Sequence, residues 1–522
     1  MNCYDLFPHE LWQYIFDFCD IITQLRIKQC SKDLYNLRVT NLVNIPKYTT
    51  LTNNVIQKHR YITHLDLETN YYVTQKYFNK LRNITFLNLT DNYHIHDLSR
   101  ALSLKTLLIA GYHCAISDAA LIHHTQLRHL QIDHNIRINT VQHLTNLNFL
   151  SIDSSCITQD SIAPLNLRTL LMSGCRLITN LNHMSLLEDL DVSGRNTLIN
   201  NSGLSSLYNL KCLNACDNHN ITSVSHLTNL TDLSASYNCG VSDINITSLK
   251  ILNITNNTKV TNLNALINLQ DLSASYNSGL FNTSLRNLNL TRLDLSHNYN
   301  ISDISWMTNL RFLDISWNSA IGNNILKDIH PEYLDISYNS RIKDINHMHL
   351  SIKTLLISGN RGITFEGLHK LNPLVIFASY NINIISYNFM SNLTKADLSW
   401  NPLIRNDSIN LLTNLTDLDI SNCQSISDIN TLTNLETLTM TGACGVTNFG
   451  LSQLHNITDL CLNNNTFITD IQHMTLLTKL SINYNCAIEY RNIMHLPIKR
   501  FSCINNNFFY KSYGHVLYND DL

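Results

Sequence analysis

The six letters "LDISWN" at 313–318 return with small changes as "LDLSHN" at 293, "LDISYN" at 334, "LSASYN" at 233 and 272, and "LSINYN" at 480. With the leading apolar residue as the frame, twenty-two starts run from Leu65 to Phe501, spaced by about 21 residues. A unit this short cannot bury its own apolar face and is stable only when stacked on copies of itself. The repeat therefore excludes one compact core for the 522 residues, a length that already exceeds what a single core normally supports.

Inside each unit, L-x-L alternates with the two-residue period of a strand, which sends both apolar side chains to one face. The rhythm then changes. After Leu293 and Leu295 come Ile301, Ile304, Met307, Leu310 and Leu313, mostly three apart. That spacing suits 3₁₀ turns or loops better than an α-helix, so the return side is expected to be thin. Asn closes sixteen of the units, among them Asn70, Asn92, Asn238, Asn277, Asn318, Asn339, Asn360, Asn485 and Asn506. A sharply turning strand end leaves backbone groups unpaired, and an amide carrying both donor and acceptor can satisfy them in coil after coil. The column reads as a buried ladder, in which Cys175 and Cys423 replace Asn, and Tyr112, Ser155, Arg195 and Ala443 are interruptions.

This pattern resembles that of leucine-rich repeats, L-x-x-L-x-L-x-x-N/C. The resemblance implies an α/β leucine-rich-repeat solenoid over residues 62–510, a horseshoe with a parallel sheet on the concave face and a short 3₁₀ or loop convex side. On the concave wall the residue between the leucines and the one just after them are expected to face outward. The first is Asp at 294, 314, 335, 397 and 419; the second is Ser at 236, 296, 316, 337, 379, 399 and 421. Before the ladder Asn stand Tyr237, Tyr276, His297, Trp317, Tyr338, Tyr380 and Trp400. Such aromatics either pack over neighbouring coils or, beside small Ser and the Asp file, form a protein-binding surface. The candidate partner-binding face is therefore Tyr237, Tyr276, Asp294, Asp314, Trp317, Asp335, Tyr338, Tyr380 and Trp400.

The first 40 residues have another rhythm. In "LFPHELWQYIFDFCD", Leu11, Ile15 and Phe18 fall on one helical face after Pro8, a favoured first helical residue. Pro8, Glu10, Leu11, Ile15, Phe16, Cys19 and Asp20, followed by Cys30, Lys32, Leu34 and Tyr35, resemble an F-box. Ahead of leucine-rich repeats, that order resembles the F-box/leucine-rich-repeat family. The resemblance implies that Pro8, Glu10, Leu11, Ile15 and Phe16 dock the F-box-binding adaptor of a cullin–RING ubiquitin ligase while the repeats hold an unknown target protein. Residues 41–61 would be a linker or N-terminal cap and 511–522 a C-terminal tail.

Composition narrows the partners. Net charge is -3 and only 14% of residues are charged, leaving no basic footprint for nucleic acid and no polybasic stretch for a membrane. The start lacks a basic n-region, and no apolar run reaches the roughly 18 residues of a membrane span. A cytoplasmic or nuclear location is expected, with the fourteen scattered Cys as reduced thiols. The Asn-, Ile- and Tyr-rich composition resembles that of AT-rich genomes, such as those of large amoeba-infecting DNA viruses, which would place the protein in a host cell. His143, His183, His226, His347 and His473 all fall thirteen residues after a start, on coils too far apart to share a metal, and are expected to be exposed return-loop residues. Asn-x-Ser/Thr triplets, as at Asn229, read as a consequence of composition. No nucleotide, metalloprotease or serine-hydrolase motif is present, so no cofactor, metal or catalytic residue is assigned. The expectation is a non-enzymatic substrate receptor, monomeric within a larger complex; the rival is an interaction scaffold or host-interaction module with no ubiquitin role, whose head only caps the solenoid.

Overall fold

Leucine stands opposite leucine from coil to coil. In the computed structural model, which describes Gln13, Thr23, Gln24 and residues 38–43, 51–59, 61–317 and 320–506, the chain divides into two compact units, Met1–Asn253 and Ile254–Leu522. The described part of the first carries eleven short strands, from Asn41–Leu42 to Ile251–Asn253, and that of the second twelve, from Asp271–Ser273 to Arg500–Ser502. Within each unit neighbouring strands pair in parallel, start residue against start residue: Leu65 with Leu87 and Leu213 with Leu233 in the first, and Leu293 with Leu313, Leu334 and Leu355 in succession in the second. Each unit is a leucine-rich-repeat solenoid. Ahead of the first predicted start, Asn41–Leu42 pairs with His64–Asp66 and the helix Asn53–Lys58 follows it, so an additional coil precedes Leu65.

The three-residue rhythm of the return side is the core. Leu293, Leu295, Ile301, Ile304, Met307 and Leu310 are all at most 2% exposed, each burial contributing roughly 1.5–3 kcal/mol of transfer free energy. With about fifteen residues to come back, the chain uses turns and short 3₁₀ pieces such as Asn201–Leu204 and Asn406–Ser408, and in the first unit four-residue helices such as Gln75–Phe78.

The asparagine ladder is built as the chemistry requires. Asn339 donates from Nδ2 to the carbonyl of Ile315 at 2.7 Å and accepts at Oδ1 from the Arg341 N–H at 3.1 Å. Asn360 donates to Ile336 O at 2.9 Å and accepts from Gly362 and Ile363. Cys175 and Cys423 aim their thiols at the corresponding carbonyls, Ile152 O at 3.0 Å and Leu398 O at 3.1 Å. Three expected members do not belong. Asn238, Asn277 and Asn485 are exposed, and the next residue, Cys239, Ser278 or Cys486, is buried instead. A small side chain one position later fills the inward slot, and the bulkier amide turns to solvent. Small side chains also fill the inward slot at three of the apparent interruptions: Cys444 is buried one position beyond Ala443, and Cys114 and Thr197 two positions beyond Tyr112 and Arg195. Asn70 is only half-buried, and Asn318 lies outside the described residues. Among the described residues no cysteine forms a disulfide.

Two further columns tie coils together. The histidine column is not merely exposed: Nε2 of His143, His183, His226, His347 and His473 lies 2.8–3.2 Å from the carbonyl of Leu121, Ile162, Leu204, Leu326 and Leu451 in the preceding coil. A carbonyl only accepts, so the ring must carry its proton on Nε2, and only His183 of the five is exposed. Asn229 is also structural. It donates to Tyr208 O at 2.8 Å, as Asn146 does to Thr125 O and, in the second unit, Asn414, Asn434 and Asn456 do to Ser391, Thr413 and Thr433.

Candidate functional site

The residue four places after each start has a left-handed backbone in all twenty-two coils: seventeen are non-glycine, with φ between 49° and 64°, and five are Gly111, Gly174, Gly194, Gly359 and Gly442. The turn aims that residue's N–H at the next coil, extending the sheet's ladder: Trp317 N donates to Ser337 O at 2.8 Å, Tyr338 N to Ser358 O at 2.9 Å and Trp400 N to Ser421 O at 2.8 Å. For an L-residue this conformation costs about 1–2 kcal/mol, least for Gly, Asn and Asp. Asn256, Asn422 and Asn464 occupy it at low cost. Tyr237, Tyr276, Trp317, Tyr338, Tyr380, Trp400 and Tyr484 do not, and strain of this kind in bulky residues concentrates where a side chain is needed for function.

In the second unit these rings form a stacked file. Tyr276, His297, Trp317 and Tyr338 follow one another at centroid distances of 4.7, 4.9 and 4.2 Å, with planes 17–20° apart; Tyr380 and Trp400 stack at 5.3 Å and 9°. Each ring thus packs over a neighbouring coil and also presents an edge. Tyr276, Trp317, Tyr380 and Trp400 are 45–51% exposed. Tyr237 is exposed in the first unit.

Between the two stacks stands Gly359. A Cβ there would lie 2.3 Å from the Tyr338 ring, so the missing side chain lets that ring lie down on the coil and reduces its exposure to 37%. The result is a notch in the aromatic wall. It opens into a groove of about 820 Å³ whose other wall is the column two residues on: Ser340, Arg361, Ile382, Pro402 and Gln424. Arg361 is exposed beside the notch, is the one charged residue of the lining, and has no ion-pair partner among the described residues.

The serine file differs from expectation. Ser236, Ser316, Ser337, Ser399 and Ser421 are 2–8% exposed and face inward, whereas Ser296 and Ser379 are half-buried. The aspartates are half-buried and engaged: Asp294, Asp314, Asp335, Asp397 and Asp419 each accept the N–H two residues on at 2.8–3.0 Å, and Asp294 and Asp397 also take a serine hydroxyl. Parallel register stacks Asp294, Asp314 and Asp335 in consecutive strands. Burial, then the Asp335 charge, pushes the Asp314 carboxyl up to about 7; burial first, then Asp294, raises Asp335 as well. Beside them Phe312 and Tyr333 stack at 4.2 Å, with the Arg292 guanidinium 3.5 Å above Phe312.

Pro8, Glu10, Leu11, Ile15 and Phe16 lie outside the described residues. Among the described residues no cluster of three His, Cys, Asp or Glu could hold a metal ion, and no helix is long and apolar enough to cross a membrane.

No protein-family profile and no curated protein matches the sequence. Among solved structures the chain is similar to one titled as the TLR13–ssRNA13 complex, at 21% identity and a TM-score of 0.60, covering 91% of this chain and 85% of that one. An internalin, InlF of Listeria monocytogenes str. 4b F2365, aligns at 20% identity and a TM-score of 0.30, covering 74% of this chain and 88% of the other. The first similarity is one of fold, and with the coil geometry it defines the class: a leucine-rich-repeat solenoid protein.

Proposed function

We propose that this is a non-enzymatic protein-recognition molecule whose repeats hold a target protein along the sheet face and its aromatic edge. One observation carries the reading: large rings at left-handed positions, stacked and half exposed where neighbouring coils use Asn or Gly. Interface energy resides in such rigid amphipathic rings. The finer reading is a substrate receptor of a cullin–RING ubiquitin ligase acting in the cytoplasm or nucleus. It rests on the F-box-like order of Pro8, Glu10, Leu11, Ile15 and Phe16 ahead of the repeats. Co-purification with the F-box-binding adaptor tests it: the full chain should retain the adaptor, and Ile15→Asp with Phe16→Asp should lose it with the solenoid's melting unchanged. Absence of adaptor binding by the wild-type chain would leave a repeat scaffold whose head serves as a cap.

A further inference from the structure

We propose that the groove at Gly359 binds an extended peptide segment of a partner protein, presenting a flat aromatic ring to the notch and a carboxylate to Arg361. This deepens the protein-recognition reading and rests on it. The groove crosses six coils, from Trp317 to Asn422. At about 4.8 Å per coil it is roughly 24 Å long, the span of about seven extended residues. Its shape is that of an interrupted stack. The Tyr338 ring lies over Gly359, Tyr380 stands on the far side of that coil, and Trp317 and Trp400 back them, so the notch is the gap between these two rings. A ring entering the notch gains the offset stacking that the file already uses.

Charge decides the rest of the occupant. The lining contains no Asp or Glu, and its single charge, Arg361, sits on the same coil as the notch without an ion-pair partner among the described residues. A guanidinium offers a carboxylate two parallel donors. A single-stranded nucleic acid would also supply rings, but its phosphates would meet one base in the lining, the carboxylates of Asp314, Asp335 and Asp397 on the neighbouring sheet face, and a chain of net charge -3. That is the wrong sign for phosphate binding.

The test uses the full chain and three fluorescein-labelled nonapeptides on a Gly-Ser background, with a central Trp-Asp, Trp-Lys or Gly-Asp pair. Fluorescence polarisation should show Trp-Asp bound at least tenfold more tightly than either control. Arg361→Glu should invert the Asp-over-Lys preference. Tyr380→Asn, which installs the residue that the repeats use at Asn422 and Asn464, should weaken the ring-bearing peptides about tenfold with melting unchanged. Equal binding of the three peptides, indifference to both variants, or preferential binding of an oligo(dT) probe would overturn the proposal. Cross-linking mass spectrometry on the protein isolated from cells separates the two levels: if the peptides fail but a protein cross-links at the sheet face near Asp314, recognition stands and only the groove assignment falls. If no protein cross-links to the solenoid, both fall.

Discussion

Asn339 and Asn277 hold the same place in their six-letter units, yet one is buried with both ends of its amide bonded and the other lies in solvent. Truncating Asn339 strands the Ile315 carbonyl and the Arg341 N–H, so Asn339→Ala should lose about 1–3 kcal/mol, whereas Asn277→Ala should change stability by less than about 0.5 kcal/mol. Thermal melts of the two variants side by side check this, and equal losses would contradict the turn geometry. The difference was not legible in "LSASYN". It is set by the following Ser278, whose hydroxyl accepts the Asn298 amide at 2.9 Å, and a lone Ser in an Asn- and Ser-rich chain carries no signal on its own. The left-handed column was hidden for a related reason: Gly, Asn and Asp occupy it in eleven coils, but the aromatic copies obscure the preference that would have revealed it. Arg361 and Gly359 likewise gain meaning only once their coil is placed between two stacks.

A strand of three residues is too short for its own side chains to define a surface, so its chemistry comes from the strands on either side. Alternation correctly predicted that Asp294, Asp314 and Asp335 leave the core; it could not predict that each would bond the backbone two residues on, or that in-register stacking would set like charges together. The consequence is a pH dependence opposite to that of a salt-bridged carboxylate. Asp314 has an ordinary value of 3.8 and titrates near 7 in the fold, so between those limits the native chain binds more protons than the unfolded one. Its contribution to stability is greatest below pH 4 and is lost as pH rises through 7. Asp314→Asn retains the acceptor for Ser316 N–H and removes the charge. It should raise stability at pH 8, on the order of 1–2 kcal/mol after discounting for water around a half-buried group, and change little at pH 4. Melting temperatures across that range check it; a wild-type curve that rises toward pH 8 would contradict the stacked-carboxylate account.

The frame of the whole chain was readable because an apolar position repeated every 21 residues or so has one physical use, a column of leucines shared by neighbouring coils, and the register found within each unit is the one that frame specified. Such a molecule should tolerate loss of a whole period and no other length, since each coil's backbone ladder runs only to its neighbours. Removing residues 355–375 joins Thr354 to Ile376, so that the strand Lys395–Asp397 still follows in register and Leu334 acquires Ile376 as its partner in place of Leu355. The shortened chain should fold, with circular dichroism per residue matching the wild type. A ten-residue deletion from the same place would leave one coil too short to return its strand beside its neighbour and should unfold that coil and those packed on it. The whole-coil deletion also removes Gly359 and Arg361 and brings Tyr338 beside Tyr380, closing the aromatic file from Tyr276 to Trp400. Peptide binding in the groove should therefore vanish from a protein that melts as a solenoid. Retained binding would place the recognition elsewhere on the sheet face, and an unfolded product would mean that the coils are coupled beyond their nearest neighbours.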